Sequence, residues 1–239
     1  MSALVWLEPG RLEFPPAESA LREPAGLLAA GGDLSVARLE LAYRSGIFPW
    51  YEDDSPILWW SPDPRAVIRP PAVRISRSLR KRLSRGDYRV TFDADFDAVV
   101  AACAAPRDYA EGTWITDEMA WAFGRLHRHG LAHSVEVWMD EELAGGLYGV
   151  AIGRCFFGES MFMRRTDASK IAFVHLLGQL EAWDFPLVDC QLPNPHLERL
   201  GVGTVPRADF LDEVRRLVDE PGRAGPWTLD WHWPGRGAT

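Results

Sequence analysis

The chain has 239 residues, 47% of them hydrophobic and 25% charged, enough to bury a sizeable core and too apolar for a disordered protein. Its formal net charge of −8 argues against a generic nucleic-acid binder. Cys103, Cys155 and Cys190 are widely spaced and odd in number, which excludes a disulfide framework and favours a reducing compartment.

The opening "MSALVWLEPGRLEF" has no basic stretch followed by a long apolar one, and nowhere do 18 apolar residues run together. The expectation is a soluble, cytoplasmic protein with no membrane contact. The first helix is predicted after Asp33 as its N-cap, with Val36, Leu39 and Tyr43 on one face and Gly46 behind the last turn. "PILWWSPDPR" then places two prolines around an aspartate, a turn that sets the expected boundary between a small N-terminal domain, 1–62, and a larger one, 63–239. The 11 Trp are many for this length, and several are expected at a pocket or interface.

Residues 69–89, "RPPAVRISRSLRKRLSRGDYR", hold eight Arg or Lys and one acid, a local charge of +7 that leaves −15 on the rest. Such a segment is either a phosphate contact or a solvated helix face with Leu79 and Leu83 turned inward. A helix from about 117 to 129, closed by Gly130, comes next. "HSVEVWM", "LAGGLYGVAIG" and "CFFGESMF" read as three strands of an antiparallel meander, with a turn at "DEE". A helix follows, opening at Thr166 or Asp167, with Ile171, Val174 and Leu177 along roughly one side. "PLVDCQL" is the strand after it, and a last amphipathic helix spans about 208–219. Meander, helix and strand make an α+β fold in which the final strand returns to the sheet.

Polar intruders mark the candidate site. Side chains alternate along a strand, so Asp189 and Gln191 share a face with roots roughly 6.6 Å apart, close enough for both to touch one small substrate. The plain alternative is a strand end satisfied by loop backbone or water. Glu159 sits among Phe156, Phe157, Met161, Phe162 and Met163 with Gly158 as a bulge signal, which leaves its side-chain parity open. If the strands carrying Glu159 and Asp189 are neighbours, two acids and an amide converge on an aromatic and methionine-rich pocket. The helix start "RRTDASK" offers free N–H groups to an anion. His127, His129, His133 and the cysteines lack ligand spacing, so no metal site is expected. Phosphate-loop, dinucleotide and serine-elbow motifs are missing as well. An enzyme of this kind needs a substrate that arrives activated.

Four segments, "GLLAAGGDLSVARLELAYRSGIFPWYEDDSPILWWSPDPRAVI", "EGTWITDEMAWAFGRLHRHGLAHSVEVW", "LAGGLYGVAIGRCFFGESMFMRRTDASK" and "VDCQLPNPHLERLG", resemble the leucyl/phenylalanyl-tRNA–protein transferase family in order and spacing, from about residue 3 to residue 217. The resemblance implies a small N-terminal domain and a C-terminal domain related to the GCN5-type N-acetyltransferases. It implies transfer of Leu or Phe, less readily Met, from aminoacyl-tRNA to proteins with an N-terminal Arg or Lys, marking them for N-degron degradation, with no cofactor. By the same transfer Asp189, Gln191 and Glu159 are the catalytic residues. Trp50, Trp114, Leu147, Phe156, Met161 and Phe173 form the aminoacyl-adenosine pocket, and Arg77, Arg80, Lys81 and Arg82 contact tRNA phosphates. Leu147 stands where members often have Met.

Overall fold

The computed structural model describes residues 4–105, 115–223 and 225–235. In chain order it contains β1 (Val5–Leu7), β2 (Leu27–Gly31), α1 (Val36–Arg44), β3 (Phe48–Pro49) and β4 (Leu58–Trp60). Next come β5 (Arg65–Ile68), α2 (Arg77–Leu83), β6 (Arg89–Phe92), α3 (Phe96–Ala104), α4 (Asp117–Arg128), β7 (Ala132–Met139), β8 (Glu142–Ile152) and β9 (Cys155–Met163). The chain ends with α5 (Ala168–Ala182), β10 (Leu187–Gln191), α6 (Pro195–Glu198), β11 (Gly203–Val205) and α7 (Arg207–Leu217). Among the described residues no helix is long and apolar enough to cross a membrane.

Two sheets form. The first has the order β1-β2-β4-β3 and the second β11-β5-β10-β9-β8-β7-β6. The expected meander is β7-β8-β9, antiparallel throughout, with Asp140 and Glu141 at positive φ in the tight turn between the first two strands. From β9 the chain crosses over through α5 and returns as β10, parallel to β9 and directly beside it, as a crossover connection must. β5, from the start of the larger region, closes the other side of β10 in the antiparallel sense.

Local chemistry sets the helix ends, not always where expected. α1 is capped by Ser35, whose hydroxyl accepts from the Arg38 N–H at 3.3 Å, and not by Asp33. The Asp33 carboxylate instead accepts from the Ser35 and Gly10 N–H groups and pairs with the buried Arg38 at 3.3 Å. Thr116 caps α4 through the Met119 N–H, and Gly130 ends it at φ +70. The last helix begins at Arg207 and stops at Leu217, a residue or two earlier at each end than expected.

α5 departs further. It is buried on nearly every side, from Ala168 to Leu180, rather than along one stripe. The C-terminal tail explains this: Asp230 and Trp231 donate their N–H groups to Gln179 Oε1 at 2.7 and 2.8 Å. The Trp231 ring lies so close over Gly178 that a Cβ there would meet it at 2.3 Å. A little upstream, Trp227 stacks on His133 with centroids 3.8 Å apart and donates its N–H to Asp93. The helix is thus sandwiched between sheet and tail, and its outer face is apolar because it too is core.

Candidate active site

Where β9 and β10 run side by side, the sheet opens into a cavity of about 390 Å³. Phe48, Pro49 and Trp50 close it from the first sheet, Leu147, Phe156 and Met161 from the meander, and Phe173 and Leu176 from α5. Five of the six expected pocket residues, Trp50, Leu147, Phe156, Met161 and Phe173, therefore line one recess. The sixth, Trp114, lies outside the described residues. Trp50 stands at the rim, 42% exposed, with its ring 5.6 Å from that of Trp60.

Two irregularities aim the polar groups. The pairing of β8 with β9 slips between Tyr148 opposite Ser160 and Gly149 opposite Gly158, so Glu159 is the extra residue of a bulge. Along β10 the pairing slips again, between Asp189 opposite Val67 and Gln191 opposite Ala66. Gln191 holds a left-handed φ of +64, a conformation that needs local support in a residue with a side chain. That support is the Asp189 side chain, whose Oδ1 accepts from the Gln191 N–H at 2.8 Å. Simple alternation consequently fails at this strand end, and Cys190, Gln191 and Leu192 all line the cavity.

Asp189 does not touch that space. It is fully buried and gripped by Arg65 in a two-pronged contact, Nε to Oδ1 at 2.8 Å and Nη2 to Oδ2 at 2.6 Å. The Arg65 guanidinium is itself held between the rings of Phe48 and Phe210, 4.8 and 4.6 Å from their centroids. The expectation that Asp189 and Gln191 both reach one substrate gives way to a stack in which Arg65 fixes Asp189 and Asp189 fixes the Gln191 backbone.

Glu159 fixes the other end of Gln191. Its Oε1 accepts from Gln191 Nε2 at 2.8 Å, which turns the amide so that its carbonyl is free to accept a hydrogen bond. Burial drives the Glu159 carboxyl up to about 8, the Asp189 charge adds to this, and the neighbouring Tyr43 hydroxyl and Gln191 amide oppose it. Tyr43 Oη, Tyr148 Oη and Glu159 Oε2 are all buried without a partner in hydrogen-bonding geometry. Burial first and the Asp189 charge second push the Cys190 thiol up, so the one sulfhydryl facing the recess stays protonated and is a poor nucleophile.

The remaining expected residues sit elsewhere. In α2, capped by Ser76, Leu79 and Leu83 point into the core while Arg77, Arg80 and Lys81 are exposed. Arg82 is mostly covered and tied to Asp87 and to the Tyr88 ring. The helix start proposed for an anion carries its own carboxylate: Asp167 is the N-cap and pairs with Lys170 at 2.6 Å, which disfavours a bound anion there. Arg65, Tyr43 and Tyr148 were missed. The one sequence signal for Arg65 was an arginine heading the apolar run "RAVI", where an acid buried in another strand would need a counter-charge.

A mixed sheet with one parallel crossover opens at that crossover into an apolar recess headed by a fixed amide, the form of a binding pocket that takes an apolar group beside one polar anchor. The sequence narrows this. Residues 67–215 match the family described as leucyl/phenylalanyl-tRNA protein transferase, and residues 32–63 match the N-terminal domain of that family. The leucyl/phenylalanyl-tRNA–protein transferase of Ectopseudomonas mendocina (strain ymp) is 58% identical over 95% of this chain and 99% of its own length. That of Stutzerimonas stutzeri (strain A1501) is 57% identical over the same shares. The chain belongs to the leucyl/phenylalanyl-tRNA protein transferase family. Its C-terminal region also resembles a GCN5-related N-acetyltransferase from Kribbella flavida, at 11% identity and a TM-score of 0.38 over 69% of this chain and 58% of that one.

Proposed function

We propose that this enzyme moves a leucyl or phenylalanyl group, less readily a methionyl group, from tRNA to the α-amine of proteins that begin with Arg or Lys. In the cytoplasm such a product is marked for N-degron degradation. The observation that carries the reading is the Gln191 carbonyl, turned outward by Glu159 at the head of an apolar cavity.

The aminoacyl ester is already activated, so neither ATP nor coenzyme A is needed. The amine nitrogen attacks the ester carbonyl, a C–N bond forms, the C–O bond to the terminal ribose breaks, and the amine proton ends on that ribose oxygen. Gln191 Oε1 accepts a hydrogen bond from the incoming N–H, which raises the electron density on nitrogen and holds it about 3 Å from the carbonyl carbon; positioning of this kind is worth several kcal/mol. Asp189 is a positioning residue that acts through the Gln191 backbone, and Arg65 acts through Asp189.

Leu147, Phe156, Met161 and Phe173 would bury the transferred side chain, an apolar preference that separates near-isosteres by only about 1–3 kcal/mol. Trp50 and Trp114 would hold the terminal adenosine. Arg77, Arg80 and Lys81 would meet tRNA phosphates, with Arg82 bracing the helix from within.

The test is direct. Purified protein is incubated with leucyl-tRNA and a peptide that starts with Arg, beside one that starts with Ala, without ATP or coenzyme A. One leucyl residue of added mass on the Arg peptide alone is expected. No added mass while the leucyl-tRNA stays intact would refute the reading.

A further inference from the structure

By local rules α2 is a weak helix. Its seven residues, Arg77–Leu83, fall well short of the length at which a helix holds together in water by itself. The first turn carries no acid, and Arg77 stands three residues before Arg80 and four before Lys81, spacings at which like charges repel. Leu79 and Leu83 pin the inner side to the core, which leaves the last turn to be closed by groups outside the helix.

Two rings do this. The Tyr88 hydroxyl donates to the Leu83 carbonyl at 3.0 Å, and the Arg82 guanidinium lies 5.6 Å from the Tyr88 centroid. Trp233, 149 residues beyond the C-cap Ser84, repeats the arrangement: its Nε1 donates to Ser84 Oγ at 3.3 Å, and the Arg80 guanidinium lies 5.8 Å from its ring centroid. Ser84 Oγ in turn donates to the Arg80 carbonyl at 3.0 Å. No helix or strand forms among the described residues after Leu217, so the segment bearing Trp233 owes its place to contacts such as those of Gln179 with Asp230 and Trp231. Trp231 serves the core by covering α5. Trp233 reaches on to a cation of α2, a contact that core filling alone does not require.

We infer that Trp233 is a positioning residue for tRNA: the tail clamps the last turn of α2 and presents Arg80, with its neighbours Arg77 and Lys81, at fixed spacing. The inference rests on the proposed phosphate-contacting role of α2. Without the indole, α2 keeps Leu79 and Leu83 but its end frays, and the cations must be ordered by the tRNA itself, at a cost to affinity. Trp233 lines no part of the aminoacyl cavity, so the cost falls on tRNA binding and not on the transfer step.

The experiment uses the full chain, a peptide that starts with Arg, and two donors: leucyl-tRNA, and leucyl-adenosine, which carries no phosphate. Trp233→Leu, which keeps an apolar filler but no ring, is expected to raise the leucyl-tRNA KM about fivefold, the worth of one cation–π contact. Its kcat and its transfer from leucyl-adenosine stay at wild-type values. Trp233→Phe, which restores a ring beneath Arg80, recovers most of the loss. Arg80→Ala is the reference and raises the leucyl-tRNA KM by itself. A Trp233→Leu KM equal to wild type, with Arg80→Ala impaired, overturns the inference and leaves α2 as a phosphate contact. Equal losses on the two donors overturn it as well, since they show general damage to the fold. A leucyl-tRNA KM that neither variant alters overturns both this inference and the role of α2.

Discussion

Replacing Glu159 by Gln removes a titratable carboxyl from the place in the site least favourable to a charge. The folded carboxyl is raised by burial from 4.5 to about 8, so the folded protein binds a proton that the unfolded chain has already released. Relative to Glu159→Gln, wild-type stability is full below pH 4.5, falls by about 1.4 kcal/mol for each pH unit above it, and levels off past pH 8. The whole effect is about 5 kcal/mol, of which about 3 kcal/mol is felt at pH 7. Urea unfolding from pH 5 to pH 9, followed by tryptophan fluorescence, gives both stability curves. Their difference should widen steadily up to pH 8 in favour of the variant. Parallel curves would refute the claim that Glu159 is held protonated by burial. The same variant should transfer about tenfold more slowly, because either oxygen of a carboxyl can accept from Gln191 Nε2 whereas only one end of an amide can, so the variant no longer dictates which way up the Gln191 amide lies.

Asp189→Asn strips the buried Arg65 guanidinium of its carboxylate and should cost about 3–5 kcal/mol of stability; a denaturation midpoint equal to wild type would contradict the stack described above. Pairing Asp189→Leu with Arg65→Met should recover most of that stability while leaving transfer impaired, since the Gln191 N–H loses its acceptor. Gln191→Ala should lower kcat by about 100-fold or more with leucyl-tRNA affinity in filter binding unchanged, and a matching loss of affinity would show the residue to be a binding group instead. Arg77→Ala and Lys81→Ala should each reduce the slope of log affinity for tRNA against log salt by roughly 0.7 to 0.9; slopes identical to wild type would rule out phosphate contact by α2.

The meander, the crossover helix and the returning strand are legible in the sequence because turns and side-chain periods are local properties of a chain. The α1 cap was misplaced by two residues because Asp33 and Ser35 are both good caps, and the choice was made by the buried Arg38, which claims Asp33 as its partner. α5 looked one-sided because nothing nearby in sequence announces that Trp231, some fifty residues on, folds across it. Cavity residues were easier. Phe156, Met161 and Glu159 come from a single strand, so one apolar run with one acid was enough to mark them.

By itself the sequence determined which segments form strands and helices, that Glu159, Asp189 and Gln191 are out of place in a core, and which family the chain resembles. Only the tertiary structure decided what those three residues do to one another. Asp189 meets Arg65 across 124 residues of sequence, and no local pattern encodes a contact at that separation. The two bulges that turn Glu159 and Gln191 toward each other shift side chains off the strand period, and a reading that depends on that period cannot follow them. Burial completed the site: the same carboxyl that would ionise near pH 4.5 in water holds its proton to about pH 8 once the sheet and α1 close over it.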